Sequence, residues 1–295
     1  MRRQILASCV VLLLASPIAA IADPILLPQL ASFAVLGAES VTNTGPTTLG
    51  GNLGVSNNPS VTGITGFYGT LANDGPGTFT GTAHQGDAVA LLADAQLVQA
   101  MTTLDLLGPG ELLPADLVSL VLTPGVYTVP AGTTNLSGLV TLDGLGDPNA
   151  LWVFQMVSTL ITSPGSVVNV TNVGDGDGTG LYWNVRSSAT LDTTTTFAGN
   201  ILANASISVN NGVTLDCGRL LVHTGSVTLI NDTISIGCEG SGFEGSGGFN
   251  GGGGSPIDNA PVPEPGTLGM LASGLLGAVA WARRRIATAG AEPSL

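Results

Sequence analysis

The residues able to do covalent chemistry are few and far apart. Between Asp23 and Ala282 the basic side chains are Arg186 and Arg219 alone, against 19 acids, and the chain has no Lys. Enzymes that cleave polysaccharides work with clustered carboxylates or basic groups. One candidate carboxylate pair is Asp143 and Asp147. They flank a Gly-rich turn, where aspartate side chains commonly bond the local backbone. His84 and His223 are isolated from one another in the sequence. No enzymatic activity and no cofactor is expected. Asp175-Gly176-Asp177-Gly178-Thr179 offers oxygen ligands of the kind Ca²⁺ takes. It lacks the spacing of an EF-hand loop and the repetition of a calcium-binding β-roll, so a solvated turn accounts for it and no metal site is expected. Of three cysteines, Cys9 lies in the leader. Cys217 and Cys238 either form a disulfide, as export would permit, or remain two buried thiols.

What the chain has in quantity is hydroxyl groups on short strands. From Leu151 to Ile236 it reads as runs rich in Val, Ile, Leu and Thr, bounded by Gly, Asn and Ser. Such runs read as strands. They also repeat in threes. Trp152-Val153-Phe154, Tyr182-Trp183-Asn184, Asn200-Ile201-Leu202 and Arg219-Leu220-Leu221 form one column. Leu160, Ala189, Ile207 and Val227 form the next, at steps of 29, 18 and 20 residues. The long step holds the insertion Gly174 to Gly180. A third column runs through SVVNV, TTTTF, GVTLD and NDTI. Three strands per period of about 20 residues is the pattern of a β-solenoid, in which each coil buries its inward residues against its neighbours. A β-sandwich with chance regularity is the alternative. In the solenoid, two outward rows are hydroxyl-rich: Thr159, Ser188, Ser206 and Ser226, then Ile161, Thr190, Ser208 and Thr228. Either they form a functional array or they solvate a surface poor in charge. Thr193 to Thr196 reads as polar filler at a turn.

The rest of the chain frames this body. Ala31 to Phe67 looks like further coils, and Thr70 to Thr82 like a Gly/Thr-rich loop. Asp87 is placed to cap a helix from Ala88 to about Leu106. Leu91, Ala95, Val98 and Met101, together with Leu97, Met101 and Leu104, recur at helical spacing and are expected to pack along the solenoid. Gly108-Pro109-Gly110 ends the helix, Leu122 opens the continuous solenoid and Cys238 closes it. The β-helix domain is thus expected over 23–238.

Both ends carry targeting features. Met1 to Ala22 reads as a secretory signal peptide for signal peptidase, with Arg2-Arg3, an apolar core and Ala20-Ile21-Ala22. A Gly-rich linker spans 239–261. Pro263-Glu264-Pro265 follows, then the apolar segment 267–282, then Arg283-Arg284-Arg285 and a tail at 287–295. The apolar segment is slightly short of the roughly 20 residues of a full span, and the Arg cluster suits the cytoplasmic side. With a body so acidic, phosphate backbones and anionic lipids are repelled, so no nucleic acid is expected as a partner. A monomer is expected.

Two resemblances extend this reading. The C-terminal segment, 262–286, resembles the PEP-CTERM sorting signal. That implies recognition by an exosortase, transient anchoring in the inner membrane by a transmembrane helix, and a secreted or cell-surface product. The body resembles the DUF3494 ice-binding (antifreeze-like) family. The resemblance is carried by FAVLGAESVTNTGPTTLGGNLGV (33–55), LTPGVYTV (122–129), LVTLDGLGDPNALWVFQM (139–156), LYWNV (181–185), FAGNILANASISV (197–209) and GRLLVHTGSVTLINDTI (218–234). It implies a right-handed parallel β-helix of roughly triangular section, with one long α-helix packed alongside and coils stacked out of chain order. It also implies adsorption to ice through one flat face, and some members carry Thr-Ala/Gly-x-Thr/Asn there. Thr44-Gly45-Pro46-Thr47 and Thr62-Gly63-Ile64-Thr65 match, while Thr224-Gly225-Ser226-Val227 departs at its fourth position. The candidate ice-binding residues are therefore Thr44, Thr47, Thr62, Thr65, Thr159, Thr190, Ser208 and Thr228. The competing expectation is a matrix or adhesive protein using the same rigid face on exopolysaccharide.

Overall fold

The computed structural model describes residues 25–174 and 178–237. The signal peptide, Cys238, the linker, the sorting segment and Asp175 and Asp177 lie outside the described residues. Short strands fold into a parallel β-helix with three faces, and every strand pair is parallel among the described residues.

On the first face, Glu111–Leu112, Gly125–Val129, Leu151–Met156 and Gly180–Val185 follow one another along the axis. The latter halves of Thr196–Ala203 and Thr214–Val222 continue it. The second face is a six-stranded sheet: Leu160–Ile161, Ala189–Leu191, Ile207–Val209, Ser226–Ile230, Ser40–Thr44 and Ile64–Thr65. The third runs from Val121–Leu122 through Leu139–Asp143 and Val167–Thr171 to the first halves of Thr196–Ala203 and Thr214–Val222, then Thr233–Ser235, Thr48–Gly50 and Thr78–Phe79. Each long strand bends from the third face to the first where its register shifts, at Gly199 (φ +91°) in one. That left-handed backbone is open to glycine without steric penalty.

Stacking is out of chain order. The strand Phe33–Gly37 pairs with the C-terminal strand Thr214–Val222, Val35 opposite Leu220. The N-terminal coils therefore extend the stack beyond the last C-terminal one. At the other end the solenoid opens at Glu111, a coil earlier than the expected Leu122. Two-residue strands such as Glu111–Leu112 are too short to show a period in the sequence. The same holds for Thr78–Phe79, a strand inside the segment expected to be loop.

Strand alternation fills the interior. Val41, Ile64, Leu160, Ala189, Ile207 and Val227 are at most 1 % exposed. An aromatic ladder runs along the axis through Tyr127, Phe154, Trp183 and Phe197, with successive ring centroids 5.6, 4.1 and 5.0 Å apart. Such spacings suit aromatic pairs, and the buried indole N–H groups find partners. Trp152 Nε1 donates to Leu122 O and Trp183 Nε1 to Ala198 O.

After the one-turn helix α1, Pro28–Ala31, the long helix α2, Ala88–Leu106, covers the first face. Asp87 caps it by accepting from the Ala90 N–H at 2.9 Å. Its inward stripe is Ala90, Ala93, Leu97, Ala100 and Leu104, set against Val153, Tyr182, Leu202 and Leu221. The stripe through Leu91 and Val98 instead points to solvent, the two side chains being 50 % and 41 % exposed. Small Ala residues let the helix axis approach a flat sheet closely, so the packed stripe is the one with less apolar bulk.

Candidate functional site

With the first face covered, the second is a charge-free sheet open to solvent: none of its strands contains Asp, Glu, Lys or Arg. Its inward residues are fixed by burial, so the residue following each must point outward. Those residues fall into register. Ile161 pairs with Thr190, Thr190 with Ser208, Ser208 with Thr228, Thr228 with Thr42 and Thr42 with Thr65. The row is thus Ile161, Thr190, Ser208, Thr228, Thr42 and Thr65, one residue per strand at the roughly 4.8 Å interval of stacked strands. Thr42 and Thr228 bring their hydroxyls to 3.4 Å.

A second row lies beside it. Ser40 pairs with Ser226, their hydroxyls 2.8 Å apart. Ser206 Oγ accepts from the Ser226 N–H at 3.3 Å and Ser188 Oγ from the Ser206 N–H at 3.4 Å. These hydroxyls are engaged along the sheet and carry no methyl, which leaves the Thr-rich row as the one presenting methyl as well as hydroxyl groups outward.

The predicted residues divide accordingly. Thr65, Thr190, Ser208 and Thr228 stand together in the row. Thr44 is exposed at the end of its strand, opposite Ile230, beside the corner to the third face. Thr159 is half-buried just before Leu160, next to the Ser row. Thr62 is exposed in a loop, its hydroxyl 2.9 Å from that of Ser60, outside the register. Thr47 turns inward: it is 0 % exposed, donates to Asn43 Oδ1 at 2.6 Å and accepts from the Asp232 N–H at 3.0 Å. It is a buried corner residue and touches no surface. Thr42 was not among the candidates. Its signal was available, because Ser40-Val41-Thr42 repeats Ser226-Val227-Thr228 and the two triplets lie side by side.

Titratable groups lie outside these strands, with Glu39 and Asp192 directly flanking two of them. His84 Nδ1 is 2.8 Å from Asp87 Oδ2 and His223 Nδ1 is 3.2 Å from Asp94 Oδ1, so each histidine is tied to α2 or its cap. Asp87 is held below the usual carboxylate range: desolvation pushes it up but is outweighed by hydrogen bonds from the Ala90 N–H and His84. Asp143 accepts from the Leu145 N–H and from Asn172 Nδ2, which lower its pKa, and Asp147 accepts from the Asn149 N–H. Both carboxylates serve their turn. Among the described residues no three His, Cys, Asp or Glu side chains converge as metal ligands would. Cys217 is disulfide-bonded.

Fold and array together define a parallel β-helix that carries an in-register, charge-free, Thr-bearing sheet on one open face. The chain belongs to the ice-binding-like family, whose model matches residues 35–235. The PEP-CTERM protein-sorting motif matches residues 261–285. The ice-binding protein of Nostoc sp. (strain HG1) is 40 % identical over 256 residues, 86 % of this chain and 85 % of that protein. Among solved structures, an ice-binding protein from the Antarctic ascomycete Antarctomyces psychrotrophicus superposes with a TM-score of 0.63 at 33 % identity, covering 70 % of this chain and 96 % of that one. One from an Antarctic biological consortium gives 0.62 at 37 % identity, covering 72 % and 90 %.

Proposed function

We propose that the protein is exported and adsorbs to ice through its second face. The observation that carries this reading is the in-register row Ile161, Thr190, Ser208, Thr228, Thr42 and Thr65 on a charge-free sheet. Ice offers water at fixed spacings, so a ligand for it must hold groups equally fixed. The parallel ladder sets the interval along the row. β-Branched Thr restricts its own rotamers, and its methyl and hydroxyl can order water as a cage and anchor it as a hydrogen-bond partner. Rigid adsorption pins the advancing ice front between bound molecules and slows its growth. No catalytic step is involved. The related ice-binding proteins support the ligand, and the row supports the face.

The sorting motif supports processing by an exosortase after signal-peptide removal. In this reading 267–282 anchors the chain briefly in the inner membrane and the β-helix is then secreted or held at the cell surface. The same motif favours a second reading, a matrix protein that binds exopolysaccharide with this face.

The test is thermal hysteresis and ice recrystallisation inhibition with purified protein and with its Thr190→Tyr/Thr228→Tyr variant. Activity that falls in the variant supports both function and face. Activity that is unchanged moves the function off this face. Wild-type protein inactive at micromolar concentration sinks the ice reading and leaves polysaccharide binding.

A further inference from the structure

The third face carries a longer threonine ladder than the second. Thr196, Thr214, Thr233, Thr48 and Thr78 pair in unbroken succession along the axis. Four of them are exposed and Thr214 is half-buried, and Thr48 and Thr233 bring their hydroxyls to 3.5 Å. The residues after them, Phe197, Leu215, Ile234 and Leu49, are at most 2 % exposed and hold the outward orientation. Thr193 to Thr196 is therefore more than turn filler: Thr195 is buried and Thr196 opens the ladder.

A surface that merely needs solvation would not look like this. The neighbouring outward column on the same strands has Ala198 opposite Asp216 and Ser235 opposite Gly50. Thr is thus not the default residue of the face. Past Thr196 the ladder column continues as Val167 and Leu139, which keeps the apolar branch and drops the hydroxyl. Solvation would have kept the opposite part. Asp216 borders the ladder without interrupting it. The helix lies on the first face and leaves the third open.

The two ladders are also rigidly joined. Single coils contribute to both: Thr42 and Thr48, Thr228 and Thr233, Ser208 and Thr214, Thr190 and Thr196. Between them the chain turns at Gly45, Asn231, Gly212 and Thr194, all with positive φ. These turns are bonded coil to coil, Asn231 N–H to Thr44 O, Gly212 N–H to Ile230 O and Thr194 N–H to Asn211 O. The corner fixes the angle between the faces.

We propose that the third face is a second ice-adsorbing surface, so that one molecule can bind two families of crystal planes set by the corner of the β-helix. This rests on the ice reading above and extends it to a separate set of residues. The experiment decorates a single-crystal ice hemisphere with fluorescently labelled protein and reads thermal hysteresis in parallel. Three proteins are compared: wild type, Thr48→Tyr/Thr214→Tyr and Thr190→Tyr/Thr228→Tyr, each checked for an unchanged thermal midpoint. Should the tyrosine pair on the third face lower that midpoint, Thr233→Lys replaces it at a single exposed position. The expected result is two sets of decorated planes in wild type, with one set lost in each variant and part of the hysteresis retained. Third-face variants that match wild type in planes and hysteresis overturn the second surface. So does loss of all binding in either face's variant alone, which would leave a single face responsible. Wild type that decorates no plane refutes the ice reading itself, a different outcome from either.

Discussion

Arg219 donates to the carbonyl oxygen of Ala31 through both Nε, at 2.8 Å, and Nη2, at 2.6 Å, across 188 positions of sequence. Its Nη1 donates to Asn200 Oδ1 at 2.9 Å, and Asn200 Nδ2 reaches Leu181 O. The guanidinium is 2 % exposed, and burial lowers its pKa to about 10, so it stays charged at neutral pH. This fork ties the last C-terminal coil to the N-terminal segment stacked on it, the one junction in the described solenoid that chain connectivity does not enforce.

Replacing Arg219 by Met keeps the bulk and removes the fork. Ala31 O and Asn200 Oδ1 lose charge-assisted bonds, each worth roughly 1.5–3 kcal/mol. The expected outcome is a lower thermal midpoint, with the amides of Phe33–Gly37 exchanging faster than those of Gly180–Val185. Equal protection of the two strands in the variant would show that side-chain packing alone holds the N-terminal coils.

The fold class was legible because the repeat is strong where coils run in chain order: Leu160, Ala189, Ile207 and Val227 are paired in the structure as their spacing implied. The long helix was legible because Asp87 and Gly108-Pro109-Gly110 mark its ends. The row on the second face was half legible. Thr190, Ser208 and Thr228 follow from that same period, but Thr42 joins them across 186 positions and no local period reports such a pairing. Thr47 was misread for a geometric reason. The Thr-Gly-x-Thr spacing crosses a corner, and at Gly45 the backbone leaves the strand, so the two-residue alternation that makes Thr44 point outward no longer applies at Thr47. The third-face ladder was hidden because its members come from strands of two to nine residues separated by corners of varying length.

Thr47 and Thr42 should separate stability from ice binding. Thr47→Val leaves Asn43 Oδ1 and the Asp232 N–H without their hydroxyl partner, and leaving a buried group unpaired costs about 1–3 kcal/mol. It should lower the thermal midpoint and leave hysteresis per folded molecule unchanged. Thr42→Tyr sits on an outward position of a strand, where an aromatic is tolerated. It should keep the midpoint and lose the part of the hysteresis that the second face carries. Thr62→Ala should alter neither. Hysteresis lost in Thr47→Val with the fold intact would contradict the inward placement.

The C-terminal end of α2 should depend on Gln155. Its Nε2 donates to Leu104 O at 2.6 Å, a carbonyl of the last helical turn whose backbone bond, from the Leu107 N–H, is the longer 3.2 Å. Its Oε1 accepts from Asn184 Nδ2 at 2.8 Å, and that amide also reaches Asp105 Oδ1, which Arg186 approaches at 3.0 Å. Gln155→Leu removes both bonds at a position 8 % exposed and should destabilise the fold by about 1–3 kcal/mol. The loss should appear first as faster exchange over the last turn of the helix, while Ala90 near the Asp87 cap keeps its protection. Uniform exchange along the helix would mean that α2 detaches as one body.

Asp232 should make the protein more stable in mild acid than at neutral pH. It is 2 % exposed, and burial raises its pKa to about 6, with hydrogen bonds from the Ile230, Val213 and Gly212 N–H groups offsetting part of the rise. Between the ordinary value of 3.8 and about 6 the folded state therefore holds more protons than the unfolded chain, and stability falls as pH rises. The contribution is full below 3.8, is lost through about 6 and is flat above. At about 1.4 kcal/mol per pKa unit it amounts to roughly 3 kcal/mol at most. Asp87, Asp116, Asp143 and Asp192 have lowered pKa values, so their contributions are present above 3.8 and fade only as pH falls further. Across pH 4.5 to 7 these four carboxylates stay ionised, so the part of the slope that Asp232→Asn removes reports Asp232. Thermal midpoints should be several degrees higher at pH 4.5 than at pH 7 in wild type. Asp232→Asn should remove that slope while lowering stability overall, since its amide nitrogen cannot accept the second backbone N–H. A wild-type midpoint that rises across this window would mean that the carboxylate is ionised in the fold, held by its three backbone donors against the burial.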